Sequence, residues 1–353
     1  AAYQVEGAYN CDGRGLSIWD ALSDGYVKHG DNGNTACDEY HRFREDIALM
    51  KKLNLQAYRF SVSWPRIIPK EGVVNEKGIR YYQNLVDEVL AQGMIPMVTL
   101  YHWDLPMWMH GKGGWYADEI ADQFASYVEV VVDALSDRVK YWMTMNEAAT
   151  FIGAGYLEGV HAPFETVSRD AEDYEEKVSV LTKHVLLAHG RAVQIIRKKA
   201  KLQPVIGIAM DGKFFLPDSE EEKDIEYARQ ETYTEDVDCH RINWWLDPIC
   251  KGTVNPVLQK KISAEEMEVI HQPIDFIGYN CYKANNFDDD DGRNPSVKPG
   301  MPRTAMGWNI TPDALYWSVR FLHDRYGLPV LITENGMANI DFVMSDGKVH
   351  DPQ

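Results

Sequence analysis

The chain has 353 residues, too many for one ordinary small domain and suited either to two domains or to one large α/β barrel. Its 36 Lys and Arg against 54 Asp and Glu give a formal charge of −18, which phosphate backbones and anionic lipid would repel, so nucleic-acid and membrane-surface partners are not expected. No apolar run approaches the roughly 18 residues that a bilayer span needs.

Cys11, Cys37, Cys239, Cys250 and Cys281 are odd in number and scattered, with no C-x-x-C. A disulfide framework or zinc site is therefore not expected, and a reducing, cytoplasmic location is. A leader peptide stays open, because the chain starts on Ala1 rather than Met.

In chain order, an amphipathic helix is expected over 41–53, where Phe43, Ile47, Met50 and Leu53 share a face. A strand follows over 55–64 (LQAYRFSVSW), then a helix over 77–92 with Gly93 placed as its left-handed cap. Next come a strand over 94–101 (MIPMVTLY), a helix over 119–135, a strand over 141–145 (YWMTM), a helix over 178–199 and a strand over 204–210 (PVIGIAM). One continuous helix is expected over 223–245, then a strand over 275–279 (DFIGY), a helix over 312–326 capped by Gly327, and a strand over 329–333 (PVLIT). Short apolar runs of this kind fit strands buried on both faces of a parallel sheet, and unbroken strand–helix alternation indicates an α/β fold. The acidic stretches 218–224 and 288–291 read as solvated segments, and DDDDG lacks calcium-loop spacing.

The polar residues of interest stand where the strands stop: Arg59 within AYRF, His102 and Trp103 after MVTLY, Asn146 and Glu147 after YWMTM, Asn280 and Tyr282 around the end of DFIGY, and Glu334 after PVLIT. Any one of them could be an ordinary turn former or cap. In a parallel barrel, however, all these ends open on one face, where active sites are built. Two glutamates on different strands suit glycoside hydrolysis, which needs one acid to protonate the leaving oxygen and one carboxylate to attack or to direct water.

The strings AAYQVEGA (1–8), DGRG and SIWD (12–20), YRFSVSWPRI (58–67), TLYHWDLP (99–106), TMNE (144–147), DFIGYN (275–280), MGWNITP (306–312) and LITENG (331–336) carry a resemblance. Many, ordered and correctly spaced, they resemble glycoside hydrolase family 1, the β-glucosidase family. The resemblance implies a (β/α)₈ TIM barrel and a retaining β-glucosidase acting on cellobiose and other small β-glucosides, without metal or cofactor. It implies Glu147 as acid/base and Glu334 as nucleophile, with Arg59 and Tyr282 keeping Glu334 ionised and oriented. Gln4, His102, Trp103, Asn146, Asn280 and Trp308 would meet the substrate, Trp308 on the aglycone side.

This sequence departs from the family pattern at Ala148 (usually Pro), at Cys281 (usually Tyr, read here as a packing residue) and at Asp211 (Asn in many members). Against the family, residues 1–353 read as a single catalytic barrel domain lacking most of strand 1 and all of strand 8, and as inactive when expressed alone. A 6-phospho-β-glucosidase is the nearest alternative, and a non-catalytic sugar-binding relative is the alternative from another class. The partner expected is a small-molecule β-glucoside; nothing in the sequence sets the oligomeric state.

Overall fold

The computed structural model describes residues 1–284 and 302–350. Six strands, β1 (Ala57–Ser61), β2 (Ile95–Tyr101), β3 (Tyr141–Asn146), β4 (Val205–Met210), β5 (Phe276–Cys281) and β6 (Val330–Asn335), form one parallel sheet in sequence order. Each expected strand is present. Helices Glu39–Lys52, Glu76–Ala91, Ile120–Leu135, Tyr174–Lys199 and Ala314–Tyr326 intervene and cover the outer face, as βαβ connections require.

The helix Ile120–Leu135 shows why these segments fold as they do. Ile120, Phe124, Tyr127, Val128, Val131 and Leu135 recur at three- and four-residue steps and are all buried. Each such side chain, moved out of water, contributes roughly 1.5–3 kcal/mol. The hydroxyl of buried Tyr127 donates to the carbonyls of Leu100 (2.8 Å) and Val62 (3.1 Å), so its polar end is satisfied inside the core. Gly93 (φ 73°) and Gly327 (φ 67°) take the left-handed conformation their cap positions require.

Three expectations need correction. The helix expected over 223–245 is two helices, Glu222–Thr232 and Ile242–Lys251. Thr232, the last residue of the first helix, bonds back from Oγ1 to Ala228 O, and between the two helices Thr234 Oγ1 donates to Asp236 and the His240 N–H donates to Asp238 Oδ1. Such local side-chain bonds offer the backbone an alternative to the helix. The strand expected over 55–64 shortens to Ala57–Ser61, because Ser63-Trp64-Pro65 opens the helical turn Trp64–Ile67 with Pro near its start. The two outer strands are not buried on both faces: Ala57 of β1 is exposed, and β6 is only partly buried along its length.

The opening residues form a helical turn, Ala2–Val5, rather than the exit of a strand, and no strand lies outside β1 and β6 among the described residues. The sheet is curled far enough that Arg59 of β1 donates to the Thr333 carbonyl of β6 at 3.1 Å. Its first and last strands therefore face each other across a gap at their C-terminal ends. Cys281 is buried, as expected of a packing residue, and 218–224 is exposed over most of its length. The acidic run 288–291 lies outside the described residues. No helix among the described residues is long and apolar enough to cross a membrane.

Candidate active site

All six strands are parallel, so their C-terminal ends meet on one rim, and the sequence-selected residues gather there. Irregularities in strand pairing fall between Met143 and Asn146 on β3 and between Tyr279 and Asn280 on β5. A slip of this kind re-aims the side chains that follow it. Trp103 (φ 76°) and Glu147 (φ 52°) also hold left-handed backbone conformations that side-chain-bearing residues rarely adopt.

Arg59 is the hub. Its guanidinium donates to Glu334 Oε1 at 2.8 Å, Asn146 Oδ1 at 2.6 Å, Thr99 Oγ1 at 3.0 Å and the Thr333 carbonyl at 3.1 Å. Tyr282 Oη donates to the other carboxylate oxygen, Glu334 Oε2, at 2.8 Å. Glu334 is thereby held by both oxygens, from opposite sides.

Asn146 uses three of its four hydrogen-bonding sites. Its Oδ1 also accepts from Asn280 Nδ2 at 3.1 Å, and its Nδ2 lies 3.0 Å from His102 Nε2. Burial above all, with the cation Arg59 adding to it, lowers the affinity of His102 for a proton, which favours a neutral ring that can accept there. Trp103 Nε1 donates to the Asn146 carbonyl at 3.1 Å, which fixes the indole on the rim.

Glu147 is the other pole. It is buried, and Asn280 Nδ2 donates to its Oε1 at 2.6 Å. Burial pushes its carboxyl well above the usual carboxylate range, and the negative charges of Asp211 and then Glu334 push the same way, against the donor Asn280 and the cation Arg59. With Oε1 occupied as an acceptor, Oε2 is the oxygen left to carry the proton.

Two other expected residues stand further out. Trp308 is half-buried with its ring 5.9 Å from that of Tyr282 and Lys283 Nζ 5.8 Å from its centre. Gln4 is exposed and sits near β1, where the Ala2 N–H donates to Ser61 Oγ at 2.6 Å; it is not part of the network around the glutamates. Sequence reasoning passed over Thr333, whose Oγ1 donates to Asn280 Oδ1 at 2.6 Å, Thr99, which orients Arg59, and His161, whose ring lies 5.2 Å from that of Trp103. Thr99 and Thr333 were the polar residues inside otherwise apolar runs, and that break in the pattern was the available signal.

Among the described residues, Asp238, Cys239 and His240 are the one cluster close enough to share a metal ion. Their chemistry does not suit one. Asp238 is paired with Lys213 (3.0 Å) and Arg169 (3.4 Å), His240 is bonded to Glu158 (2.7 Å), and burial holds Cys239 as a thiol.

The family profile described as "Glycosyl hydrolase family 1" matches residues 1–353. The chain belongs to glycosyl hydrolase family 1. It is 42% identical to the β-glucosidase A of Thermotoga maritima over 99% of this chain and 79% of that relative. It is 40% identical to a 1,4-β-D-glucan glucohydrolase of Thermotoga neapolitana over 99% of this chain and 83% of that protein. The structure of the Thermotoga maritima β-glucosidase in complex with glucoimidazole superposes with a TM-score of 0.85 at 39% identity, covering 99% of this chain and 80% of that one. The six-stranded parallel sheet is thus the family's TIM-barrel arrangement, with β1 and β6 as unpaired edges among the described residues.

Proposed function

We propose that the site hydrolyses terminal β-D-glucosyl residues of cellobiose and other small β-glucosides by double displacement, within a single catalytic domain. The observation that carries the reading is the unequal treatment of the two glutamates. Glu334 is clasped by a guanidinium and a phenol, whereas Glu147 is buried, next to Asp211 and Glu334, where its affinity for a proton is raised. That is the division of labour between a nucleophile and a general acid.

In the first step a Glu334 oxygen attacks the anomeric carbon while Glu147 passes its proton to the departing glycosidic oxygen. The sugar is then esterified to Glu334, whose negative charge is gone. Glu147, now ionised, takes a proton from water as that water attacks the anomeric carbon. The bond to Glu334 breaks, and glucose leaves with its β configuration retained. Both carboxyls end as they began. His102, Trp103, Asn146 and Asn280 line the face on which the glycone would rest, Gln4 would reach it from the β1 side, and Trp308 would flank the aglycone. Asn146 is placed to donate to a sugar hydroxyl once substrate displaces its bond to His102.

The names of the relatives support an unphosphorylated glucoside. The 35% identical aryl-phospho-β-D-glucosidase of Bacillus subtilis makes a 6-phosphoglucoside the comparison substrate. The test uses this chain extended by the parts of the Thermotoga maritima relative that lie outside the match. An activated 2-deoxy-2-fluoro-β-glucoside is expected to leave a stable adduct on the Glu334 peptide, and hydrolysis of an aryl β-glucoside is expected to release the β-anomer first. An adduct on another residue or first release of the α-anomer would overturn the mechanism; turnover of the 6-phosphoglucoside alone would overturn the substrate.

A further inference from the structure

β3 and β4 are neighbours, and each is followed at once by a carboxyl: Glu147 after Asn146, Asp211 after Met210. The Glu147 N–H donates to the Ala209 carbonyl of β4 at 2.8 Å, which locks the two strand ends together. Glu147 leads into the helix Ala148–Ile152, and Thr150 on that helix donates from Oγ1 to Asp211 Oδ2 at 2.5 Å. The other oxygen of Asp211, Oδ1, is buried and meets no donor. Thr150 therefore fixes where this carboxyl lies while leaving half of it uncompensated.

We propose that Asp211 is a positioning residue for the proton donor: pinned by Thr150 beside Glu147, it sets how tightly Glu147 holds its proton. The inference rests on Glu147 being that donor and adds a device to it. When Glu147 gives up its proton beside an ionised Asp211, two negative charges stand together at the ends of neighbouring strands, in a buried site where such repulsion is poorly screened. The other groups facing Glu147 are Glu334 from β6, Arg59 from β1, and the amide of Asn280 with Tyr279 and, just past the strand, Tyr282 from β5. Those facing Asp211 are Thr150, Cys239 and His240 from the segment between two helices, Tyr279 and Glu334; burial pushes the Asp211 carboxyl up while Thr150 and His240 favour its ionised form. Among the charges acting on Glu147, Asp211 comes first. An Asn at this place would keep the shape of the side chain and a contact to Thr150 but not the charge.

The sign follows for two substitutions. Asp211→Asn removes the repelling charge, so Glu147 releases its proton more readily. Thr150→Val removes the side-chain hydrogen bond that favours ionised Asp211, so the two carboxyls together hold their last proton more tightly. The experiment is a carboxyl-carbon NMR titration of the extended chain labelled at Glu and Asp, with Glu147→Gln used to assign the Glu147 signal. In Asp211→Asn the Glu147 midpoint is expected to fall by about one unit or more, a roughly tenfold loss of proton affinity. In Thr150→Val the last midpoint is expected to rise. If the chain associates at NMR concentrations, the alkaline limb of kcat/KM in the extended enzyme reads the same proton, with the same directions expected.

A Glu147 midpoint unmoved by Asp211→Asn would overturn the proposal, as would a fall in Glu334→Gln larger than the fall in Asp211→Asn, since Glu334 is the weaker of the two negative charges acting on Glu147. Because the titration reads the carboxyl itself, its result stands apart from whether the site hydrolyses glucosides.

Discussion

Glu147 holds a left-handed backbone (φ 52°, ψ 65°), a conformation that costs a side-chain-bearing residue of order 1–3 kcal/mol. The bond from its N–H to Ala209 and the burial of Ala148 and Ala149 behind it hold it there. The strain turns the carboxyl into the rim rather than along the strand. If its proton is what the leaving group needs, Glu147→Ala should lower kcat/KM by about 10²–10⁴-fold for substrates with poor leaving groups. Activated aryl glucosides, which depart unprotonated, should lose much less in the first step. Equal losses on paired substrates would remove the acid role. Arg59 makes a complementary case. Its planar fork reaches four acceptors on three strands, which a lysine ammonium cannot match. Arg59→Lys should therefore cost roughly 10²-fold in kcat, measured on the same substrates, with the network around Glu334 loosened rather than unfolded.

At the level of strands and helices, much of the arrangement could be read in advance. The six apolar runs were each long enough for one strand, and the polar residues at their ends declared the rim. What could not be read was anything that depends on two distant segments meeting. The tie from Asn280 to Glu147 joins residues on β5 and the end of β3, and no pattern in either segment announces it. The helix expected over 223–245 failed for the opposite reason: its apolar periodicity is real, but Thr232, Asp236 and Asp238 use local bonds that outcompete a helical backbone.

Asp104, just past β2, shows how far an element can depend on a single group. It is fully buried, neither oxygen makes a hydrogen bond of good geometry, and burial pushes its carboxyl up from 3.8 to about 7 against the nearby Ser63 hydroxyl, which favours the ionised form. The folded state therefore binds this proton more tightly than the unfolded state does. The associated stability is complete below the unfolded value of 3.8 and is lost as pH rises through about 7. Asp104→Asn should flatten that part of the stability profile, seen as a urea midpoint that no longer falls between acid and neutral pH. An unchanged slope would show that Asp104 is not the group responsible.

For the molecule as a whole, the decisive feature is a curled sheet whose two edge strands, among the described residues, face each other without pairing. β1 and β6 each present one unpaired edge, and across the gap between them runs the guanidinium of Arg59. Beyond β6, Met337, Ile340, Phe342, Val343 and Met344 are exposed, and Leu331 of β6 is partly so. Unpaired edges next to apolar side chains are templates for association. Each large side chain left in water forfeits roughly 1.5–3 kcal/mol, and the net stability of a domain is only about 5–15 kcal/mol. Catalysis also asks that Glu334, on an edge strand, be held to a fraction of an ångström, a demand that an open edge meets poorly. Residues 1–353 expressed alone are therefore expected to associate with rising concentration, visible by sedimentation, and to show no measurable turnover of an aryl β-glucoside. Joined to the segments by which the Thermotoga maritima relative exceeds the match, the chain should become monodisperse at the same concentrations and active. Turnover by 1–353 as a stable, cooperatively melting monomer would show that the rim holds its geometry with both edges free, and that the clasp of Arg59 on Glu334 is enough to do so.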